Sequence, residues 1–315
     1  MTLTELKYIV AVSRQKHFGH AAESCFVAQP TLSVAIKKLE DELGVTIFER
    51  GGSEISMTPL GALIVAQAEH VLEQTAAIKE IAKQNKDPLA GPFRLGIIYT
   101  IAPYLLPPLV KTMIATVPQM PLILQEQFTV KLLEMVRQGE LDAAIVALPF
   151  NDAGMSVQPL YDEPFVVALP AHHPWAGRDL ISSEELKTEN MLLLGNGHCF
   201  RDQVLEVCPE MSRFATGNDG IARTFEGSSL ETIRHMVASG IGITVLPRAS
   251  VPDMQAADGL LRYVPLAPPV PSRRVVIVWR KSFTRLPAIA AIRAAVLRCE
   301  LHGVTMLPDA SAVDG

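Results

Sequence analysis

The pattern of hydrophobic residues changes near residue 90, and this change limits the folds that the chain can adopt. Before it, apolar residues recur at helical spacing, whereas from Phe93 onward short apolar runs alternate with helical stretches. Strands that alternate with helices are typical of βαβ units. At 315 residues the chain is also longer than one ordinary domain. We therefore predict a helical N-terminal part followed by an α/β part with a mostly parallel sheet.

Three short helices are predicted within the first 43 residues. The first begins with a capping-box pattern at Thr2, the second is alanine-rich and starts at Phe18, and Pro30 stands near the start of the third. Three such helices predict a helix-turn-helix. Two short β-prone runs flank Gly51-Gly52, which predicts a hairpin that would form a wing.

A long helix is predicted after Thr58, which stands before a proline in the pattern of an N-cap, and it runs to about residue 85. Some 27 residues of helix would span about 40 Å. One apolar stripe follows this helix, and we interpret it as a dimer seam; it contains Leu60, Ile64, Val71 and Ile78. Packing of the stripe on its own domain remains the alternative.

The C-terminal part contains two sets of alternating strands and helices, which predict two lobes with a cleft between them. The second set includes a capped helix at residues 182–185 and a helix that follows His198. The predicted divisions are a winged helix-turn-helix domain (1–58), a linker helix (59–89), a regulatory domain (90–303) with lobe I (90–162 and 268–303) and lobe II (163–267), and a disordered tail (304–315).

Composition places the chain in a reducing compartment but does not identify its partner. The N-terminus lacks the basic and apolar regions of a signal peptide, and no apolar run has the length of a membrane span, so we predict a cytoplasmic protein with four free thiols. The net charge is −5, and residues 1–58 carry six Lys or Arg against seven Asp or Glu, a net −1. Charge therefore does not indicate a nucleic-acid partner, and motifs must decide.

The third predicted helix has a face that is free for binding. Its apolar stripe is Leu32, Ile36 and Leu39, and away from this stripe lie Ser33, Val34, Lys37 and Lys38. Lysines reach phosphates or guanine edges, and a hydroxyl near a helix N-terminus donates to phosphate. A solvated helix face would show the same residues, so both readings stay open at this point.

Several separated blocks occur in order along the first 61 residues: Phe18-Gly19-His20-Ala21-Ala22, Gln29-Pro30-Thr31-Leu32-Ser33, Lys38-Leu39-Glu40, Leu43-Gly44, Phe48-Glu49-Arg50 and Thr58-Pro59-Leu60-Gly61. Together they resemble the N-terminal domain of LysR-type transcriptional regulators. The resemblance implies a winged helix-turn-helix, a linker helix and a regulatory domain like periplasmic solute-binding proteins, acting on promoter DNA as a homodimer or homotetramer with RNA polymerase as a further partner. It assigns DNA contacts to Gln29, Pro30, Thr31, Ser33, Lys37 and Arg50. Residues 51–54 hold no basic residue where many relatives have one in the wing.

A second cluster surrounds Cys199. Gly195-Asn196-Gly197 ends an apolar strand, and His198-Cys199 then open a helix, where a thiol lies in positive potential. A nearby imidazolium or Arg201 would lower its pKa further. Cys208 lies nine positions later, which on a continuous helix is about 13 Å along the axis, whereas a disulfide needs Cα atoms within about 7 Å. Joining the two cysteines would require the helix to unwind, and a pair of inert thiols is the alternative.

The run Gly197-His198-Cys199 with Arg201-Asp202-Gln203 and Cys208 resembles the peroxide-sensing OxyR branch of the LysR family. Further blocks of this resemblance include Pro103-Tyr104-Leu105-Leu106-Pro107, His173-Pro174-Trp175 and Ser229-Leu230-Glu231-Thr232. It implies that hydrogen peroxide oxidises Cys199, that Cys208 resolves it as a disulfide, and that the regulatory domain repacks and alters DNA binding. We expect no enzymatic activity, no cofactor and no metal.

Thr100 and Thr129 suit a peroxide pocket. Each follows a predicted parallel strand and precedes a helix, so both would lie at the carboxyl edge of the sheet, where open α/β sheets bind ligands. A hydroxyl both donates and accepts hydrogen bonds, although a threonine at this place also serves as an N-cap. The resemblance extends the predicted pocket to His198 and Arg274.

Three other functions remain open from the sequence. The first is a LysR-type regulator that binds a small metabolite in the cleft, with incidental cysteines. The second is a thiol peroxidase, for which the N-terminal domain would have no purpose. The third is a secreted solute-binding protein, against which the N-terminal sequence argues.

Overall fold

The computed structural model of the chain describes residues 1–49, 55–83, 87–151, 153–207, 226–227, 229–251 and 259–308. The chain divides into two compact units, Met1–Asn85 and Lys86–Gly315. Each unit has its own hydrophobic core.

The first unit begins with three helices, α1 (Leu3–Gln15), α2 (Phe18–Ser24) and α3 (Gln29–Leu43). The predicted capping box is confirmed, because the Thr2 Oγ1 accepts from the Glu5 backbone N–H at 3.2 Å and the Glu5 carboxylate accepts from the Thr2 backbone N–H at 2.7 Å. The apolar stripes of the helices form the core, as the sequence periodicity predicts. Two short strands, β1 (Phe48–Glu49) and β2 (Ser56–Met57), pair antiparallel and form the base of the predicted wing.

Helix α4 (Pro59–Lys83) is the predicted long helix. The Thr58 Oγ1 accepts from the Gly61 backbone N–H at 2.9 Å, so Thr58 caps its first turn. The predicted stripe divides between two environments. Ile64 and Val71 pack against the core of their own unit, whereas Leu60 and Ile78 are exposed. For Ile64 and Val71 the alternative, packing of the stripe on its own domain, therefore holds at least in part, and the dimer seam stays a prediction.

The second unit is built on one mixed sheet with helices packed on it. Its strands are β3 (Phe93–Ile98), β4 (Leu122–Gln127), β5 (Ala143–Ala147), β6 (Met155–Pro170), β7 (Leu193–Leu194), β8 (Glu226–Gly227), β9 (Thr244–Pro247), β10 (Leu261–Pro265), β11 (Ser272–Arg280) and β12 (Thr305–Met306). Its helices are α5 (Ala102–Thr116), α6 (Thr129–Gln138), α7 (Cys199–Val207), α8 (Leu230–Ala238) and α9 (Leu286–Leu297). The large sheet has the order β10-β6-β11-β5-β3-β4, and β9 and β12 also pair with β6, whereas β7 and β8 form a separate parallel pair.

The sheet is less parallel than the alternating pattern predicts. Among the described residues of the large sheet, only the pairs β3–β4 and β3–β5 are parallel, whereas β11 pairs antiparallel with both β5 and β6. The prediction of a mostly parallel sheet is therefore wrong. The chain leaves the first lobe along β6 and returns along β11, so these two neighbouring strands must run in opposite directions.

Two hydrophobic cores define the two lobes. The core of lobe I includes Leu95, Ile145 and Ile277, and the core of lobe II includes Val167 and Leu246. The 16-residue strand β6 contributes to both cores. The predicted fold class, a winged helix-turn-helix with a long helix and a two-lobed α/β domain, is confirmed.

Two local predictions are wrong. The capped helix expected at residues 182–185 is only a 3-10 turn, Glu185–Thr188. The tail expected to be disordered from residue 304 contains β12, which pairs with β6, and the Leu307 backbone N–H donates to the Leu160 carbonyl at 2.9 Å. Residues 309–315 lie outside the described part.

Among the residues that the structure describes, no helix is both long enough and apolar enough to cross a bilayer.

Candidate functional site

Cys199 is the first residue of α7, as the sequence predicts, and it is a half-buried free thiol. The helix packs on the core of lobe II through Phe200 and Val204. Gly197, in the turn before the helix, has a positive φ of 95°, a conformation that glycine adopts without strain. This turn directs the chain from lobe II to the edge of lobe I.

Cys199 shares a small cavity with three of the predicted pocket residues, Thr100, Thr129 and His198. Strands β3 and β4 are parallel neighbours with Ile98 opposite Gln127, so the residues that follow them meet at the same sheet edge. The free volume is about 10 Å³, which is room for about one water-sized molecule. The cavity is completed by Tyr99, Phe128 and Gly197 together with Ile98 and Gln127.

The two threonine hydroxyls differ in their partners. The Thr100 Oγ1 accepts from the Arg273 Nη1 at 2.8 Å. The buried Thr129 Oγ1 has no hydrogen-bond partner among the described residues. Neither threonine is an N-cap, because those positions belong to Ile101 and Phe128. A buried hydroxyl without a partner costs about 1–3 kcal/mol, so the cavity favours a small molecule that hydrogen-bonds to Thr129.

The arginine at this site is Arg273, and the prediction of Arg274 is wrong. Arg273 is buried; its Nε donates to the Glu163 Oε2 at 2.7 Å, and its Nη2 donates to the Thr100 carbonyl at 3.1 Å. Arg274 is exposed on β11 and donates twice to the Asp162 carboxylate, both times at 2.8 Å. Successive residues of a strand point to opposite faces, so the two adjacent arginines lie on opposite faces of β11, one buried and one exposed. The sequence does not distinguish the two arginines, because the residues that follow, Val275 to Val278, are all apolar and all buried.

The two arginines also differ in the charged groups with which they interact. Burial lowers the pKa of Arg273, but the Glu163 carboxylate, Tyr161 and Cys199 raise it, and the net shift is upward. Arg273 is therefore a permanent cation within electrostatic reach of the Cys199 sulfur. At the surface, hydrogen bonds from Arg274 hold the pKa of Asp162 below its usual value.

Helix α7 is hydrogen-bonded to both lobes. The Arg201 Nη1 donates to the Leu194 carbonyl in lobe II at 2.9 Å, and the Gln203 Nε2 donates to the Leu148 carbonyl in lobe I at 2.8 Å. The helix is continuous to Val207. Cys208 follows it directly and lies outside the described residues, so the predicted separation of the two cysteines stays a prediction.

The predicted DNA-binding residues of the first unit lie on α3. Ser33 is partly buried, and the exposed residues are Gln29, Pro30, Thr31, Lys37 and Lys38. Lys38 is only loosely paired, with its Nζ 4.0 Å from the Glu5 carboxylate. Val34, on the same free face, is 69% exposed. Arg50 lies outside the described residues.

The adjacent arginines provide a matched test of the site. We expect Arg273→Gln to destabilise the regulatory domain by about 3–5 kcal/mol, because it leaves the buried Glu163 carboxylate without its cation. It should also slow alkylation of Cys199 by iodoacetamide at fixed pH. Arg274→Gln should change neither quantity appreciably, since its ion pair is exposed to solvent. Equal effects of the two substitutions on urea unfolding and on alkylation would contradict this assignment.

Two protein families match the chain, one in each of its two units. The bacterial regulatory helix-turn-helix protein of the lysR family matches residues 3–62. The LysR substrate binding domain matches residues 86–299.

One curated relative and two solved structures are similar to nearly the whole chain. The hydrogen peroxide-inducible genes activator of Pectobacterium carotovorum subsp. carotovorum is 41% identical over 280 residues, which cover 89% of this chain and 90% of the relative. A full-length OxyR variant from Pseudomonas aeruginosa is 52% identical with a TM-score of 0.66, and the match covers 95% of this chain and 99% of that one. An H2O2-bound OxyR mutant from Corynebacterium glutamicum is 31% identical with a TM-score of 0.62, and the match covers 94% and 92% of the two chains. The chain therefore belongs to the LysR family of bacterial helix-turn-helix regulators and, within it, to the hydrogen peroxide-inducible genes activators of the OxyR group.

Proposed function

We propose that this chain is a transcription regulator that senses hydrogen peroxide at Cys199 and responds through a change in DNA binding. The observation that carries the proposal is the cavity beside Cys199, which is water-sized and is lined by Thr129, whose buried hydroxyl has no hydrogen-bond partner among the described residues. A peroxide in this cavity would satisfy the Thr129 hydroxyl and place an oxygen atom beside the sulfur. The similarity to a hydrogen peroxide-inducible genes activator and to an H2O2-bound OxyR mutant supports the same function.

The first chemical step is oxidation of the Cys199 thiolate. Its sulfur attacks one peroxide oxygen, the S–O bond forms as the O–O bond breaks, and the leaving hydroxide takes a proton to become water. The sulfur is oxidised to a sulfenic acid and the peroxide is reduced. Arg273, which donates to the Thr100 hydroxyl in the cavity lining, supplies a fixed positive charge at this site.

The second step joins Cys199 to Cys208. The Cys208 sulfur attacks the sulfenic sulfur, so the S–S bond forms, the S–O bond breaks and water leaves. Because α7 is continuous from Cys199 to Val207, the two cysteines meet only if the helix unwinds. Unwinding would remove the contacts of Arg201 and Gln203 that join α7 to the two lobes.

In this proposal α3 is the DNA-binding element. Its N-terminus and the face that carries Lys37 and Lys38 lie in the major groove, and Arg50 lies near a phosphate. The regulator acts as a homodimer or homotetramer, and the exposed residues Leu60, Leu63 and Ile78 of α4 are available for the seam. Two copies of α3 would read two half-sites of a promoter. RNA polymerase is the further partner of an activator.

The pocket assignment predicts a selective effect of Thr129→Val. Oxidation of Cys199 by hydrogen peroxide should slow by about two- to tenfold, which corresponds to one hydrogen bond of about 0.5–1.5 kcal/mol. Alkylation by iodoacetamide should keep its wild-type rate, because that reagent does not use the hydroxyl. Val130→Thr, at the exposed neighbouring position, is the control and should alter neither rate. Equal slowing of both reactions by Thr129→Val would show that the hydroxyl does not position peroxide.

The whole function predicts the behaviour of the cysteine variants on promoter DNA. Peroxide should change the wild-type footprint but not that of Cys199→Ser, and Cys208→Ser should form a sulfenic acid without holding the changed footprint. Lys37→Ala should bind DNA more weakly at matched salt and still react with peroxide.

Two outcomes would refute this proposal. A footprint that is the same with and without peroxide in both wild type and Cys199→Ser would favour a metabolite-responsive regulator. Rapid multiple turnover of peroxide would instead indicate a thiol peroxidase.

A further inference from the structure

The cavity beside Cys199 has a polar inner end and an aromatic outer end. Thr100 and Thr129 are buried, whereas Phe128 is 36% exposed. Three aromatic rings of the lining contact one another edge-on, with centroid distances of 5.3 Å for Tyr99–Phe128, 4.9 Å for Phe128–His198 and 5.9 Å for Tyr99–His198. Phe128 is the exposed ring of the three, whereas Tyr99 is partly buried and His198 is buried. We call these three residues the aromatic rim.

The backbone on both sides holds Phe128 in the rim. Phe128 directly precedes Thr129, and its extended backbone (φ −67°, ψ 150°) places it at the N-cap of α6 without a capping side chain. On the other side, a Cβ atom at Gly197 would lie only 3.4 Å from the Phe128 ring. The ring therefore packs directly on the glycine turn that leads to Cys199. Its ring contacts and this turn restrict the positions that the Phe128 side chain can take.

The remaining free volume is small compared with a substituted peroxide. About 10 Å³ is room for about one water-sized molecule, so the carbon atoms of an alkyl hydroperoxide do not fit unless a lining group moves, and Phe128 is the lining side chain that is exposed. The chemistry does not discriminate between the two oxidants. With an alkyl hydroperoxide the same S–O bond forms and the same O–O bond breaks, and an alkoxide leaves and takes the proton. Any discrimination must therefore come from shape.

We propose that the aromatic rim, and Phe128 in particular, determines which peroxides reach Cys199: it admits hydrogen peroxide and excludes alkyl hydroperoxides. This inference rests on the proposed function and adds oxidant specificity to the same site. Phe128 is a specificity-determining residue, whereas Thr129 provides the hydrogen bond to the oxidant. A rigid wall around a small pocket rejects additional carbon atoms by steric exclusion.

The test compares hydrogen peroxide with tert-butyl hydroperoxide as oxidants of Cys199 in the full-length protein. Peptide mass spectrometry follows the oxidation of Cys199 and gives a second-order rate constant for each oxidant. The ratio of the hydrogen peroxide rate constant to the tert-butyl hydroperoxide rate constant is then divided by the same ratio measured for N-acetylcysteine. The wild type should prefer hydrogen peroxide more strongly than the small thiol does. Phe128→Ala should reduce this excess preference by about tenfold or more. Phe128→Leu, which keeps an apolar side chain against the glycine turn, should reduce it by less.

Val130→Ala is the matched control, because Val130 lies two residues away and is 79% exposed. It should leave the ratio at the wild-type value. The proposal is wrong if the wild type discriminates no better than N-acetylcysteine, or if both Phe128 variants keep the wild-type ratio. A wild-type Cys199 that fails to react with hydrogen peroxide would instead refute the proposed function, so the two failures are distinguishable.

Discussion

The buried ion pair between Arg273 and Glu163 is the interaction on which the regulatory domain depends. It lies where β6 and β11 cross between the lobes, and both oxygens of the Glu163 carboxylate are used, one by Arg273 and the other by the Ala249 backbone N–H of lobe II at 2.8 Å. Arg273 also binds Thr100 in lobe I. Removing one partner of such a pair leaves a buried charge without compensation, which is far more costly than losing a surface pair.

This network connects the geometry of the domain to its chemistry. The guanidinium that joins the lobes also interacts electrostatically with Cys199, and it donates to the Thr100 hydroxyl in the lining of the cavity. Helix α7 is bound to both lobes through Arg201 and Gln203, so a change in its first turn reaches both. A covalent change at Cys199 would therefore act on α7. If this helix unwinds, the hydrogen bonds that join it to the two lobes are lost.

The sequence predicts the parts of this structure that depend on local pattern. Thr100 and Thr129 could be placed at one sheet edge because each follows a strand of a parallel pair. Strand direction could not be predicted for β11, because it depends on the path by which the chain returns between the lobes. Arg273 was missed because two adjacent arginines look equivalent until the strand phase is known. No sequence pattern indicated Phe128, because its proposed role depends on packing against Gly197, which lies 69 positions away in the chain.

We propose Cys199 as the peroxide-reactive thiol and Cys208 as its disulfide partner. The most direct measurement is a free-thiol count before and after one equivalent of hydrogen peroxide per chain, with the products mapped by peptide mass. The account predicts that two of the four thiols disappear and that one peptide pair, linked through Cys199 and Cys208, is recovered. A Cys199 that stays reduced, or that is recovered joined to Cys25 or Cys299, would contradict it.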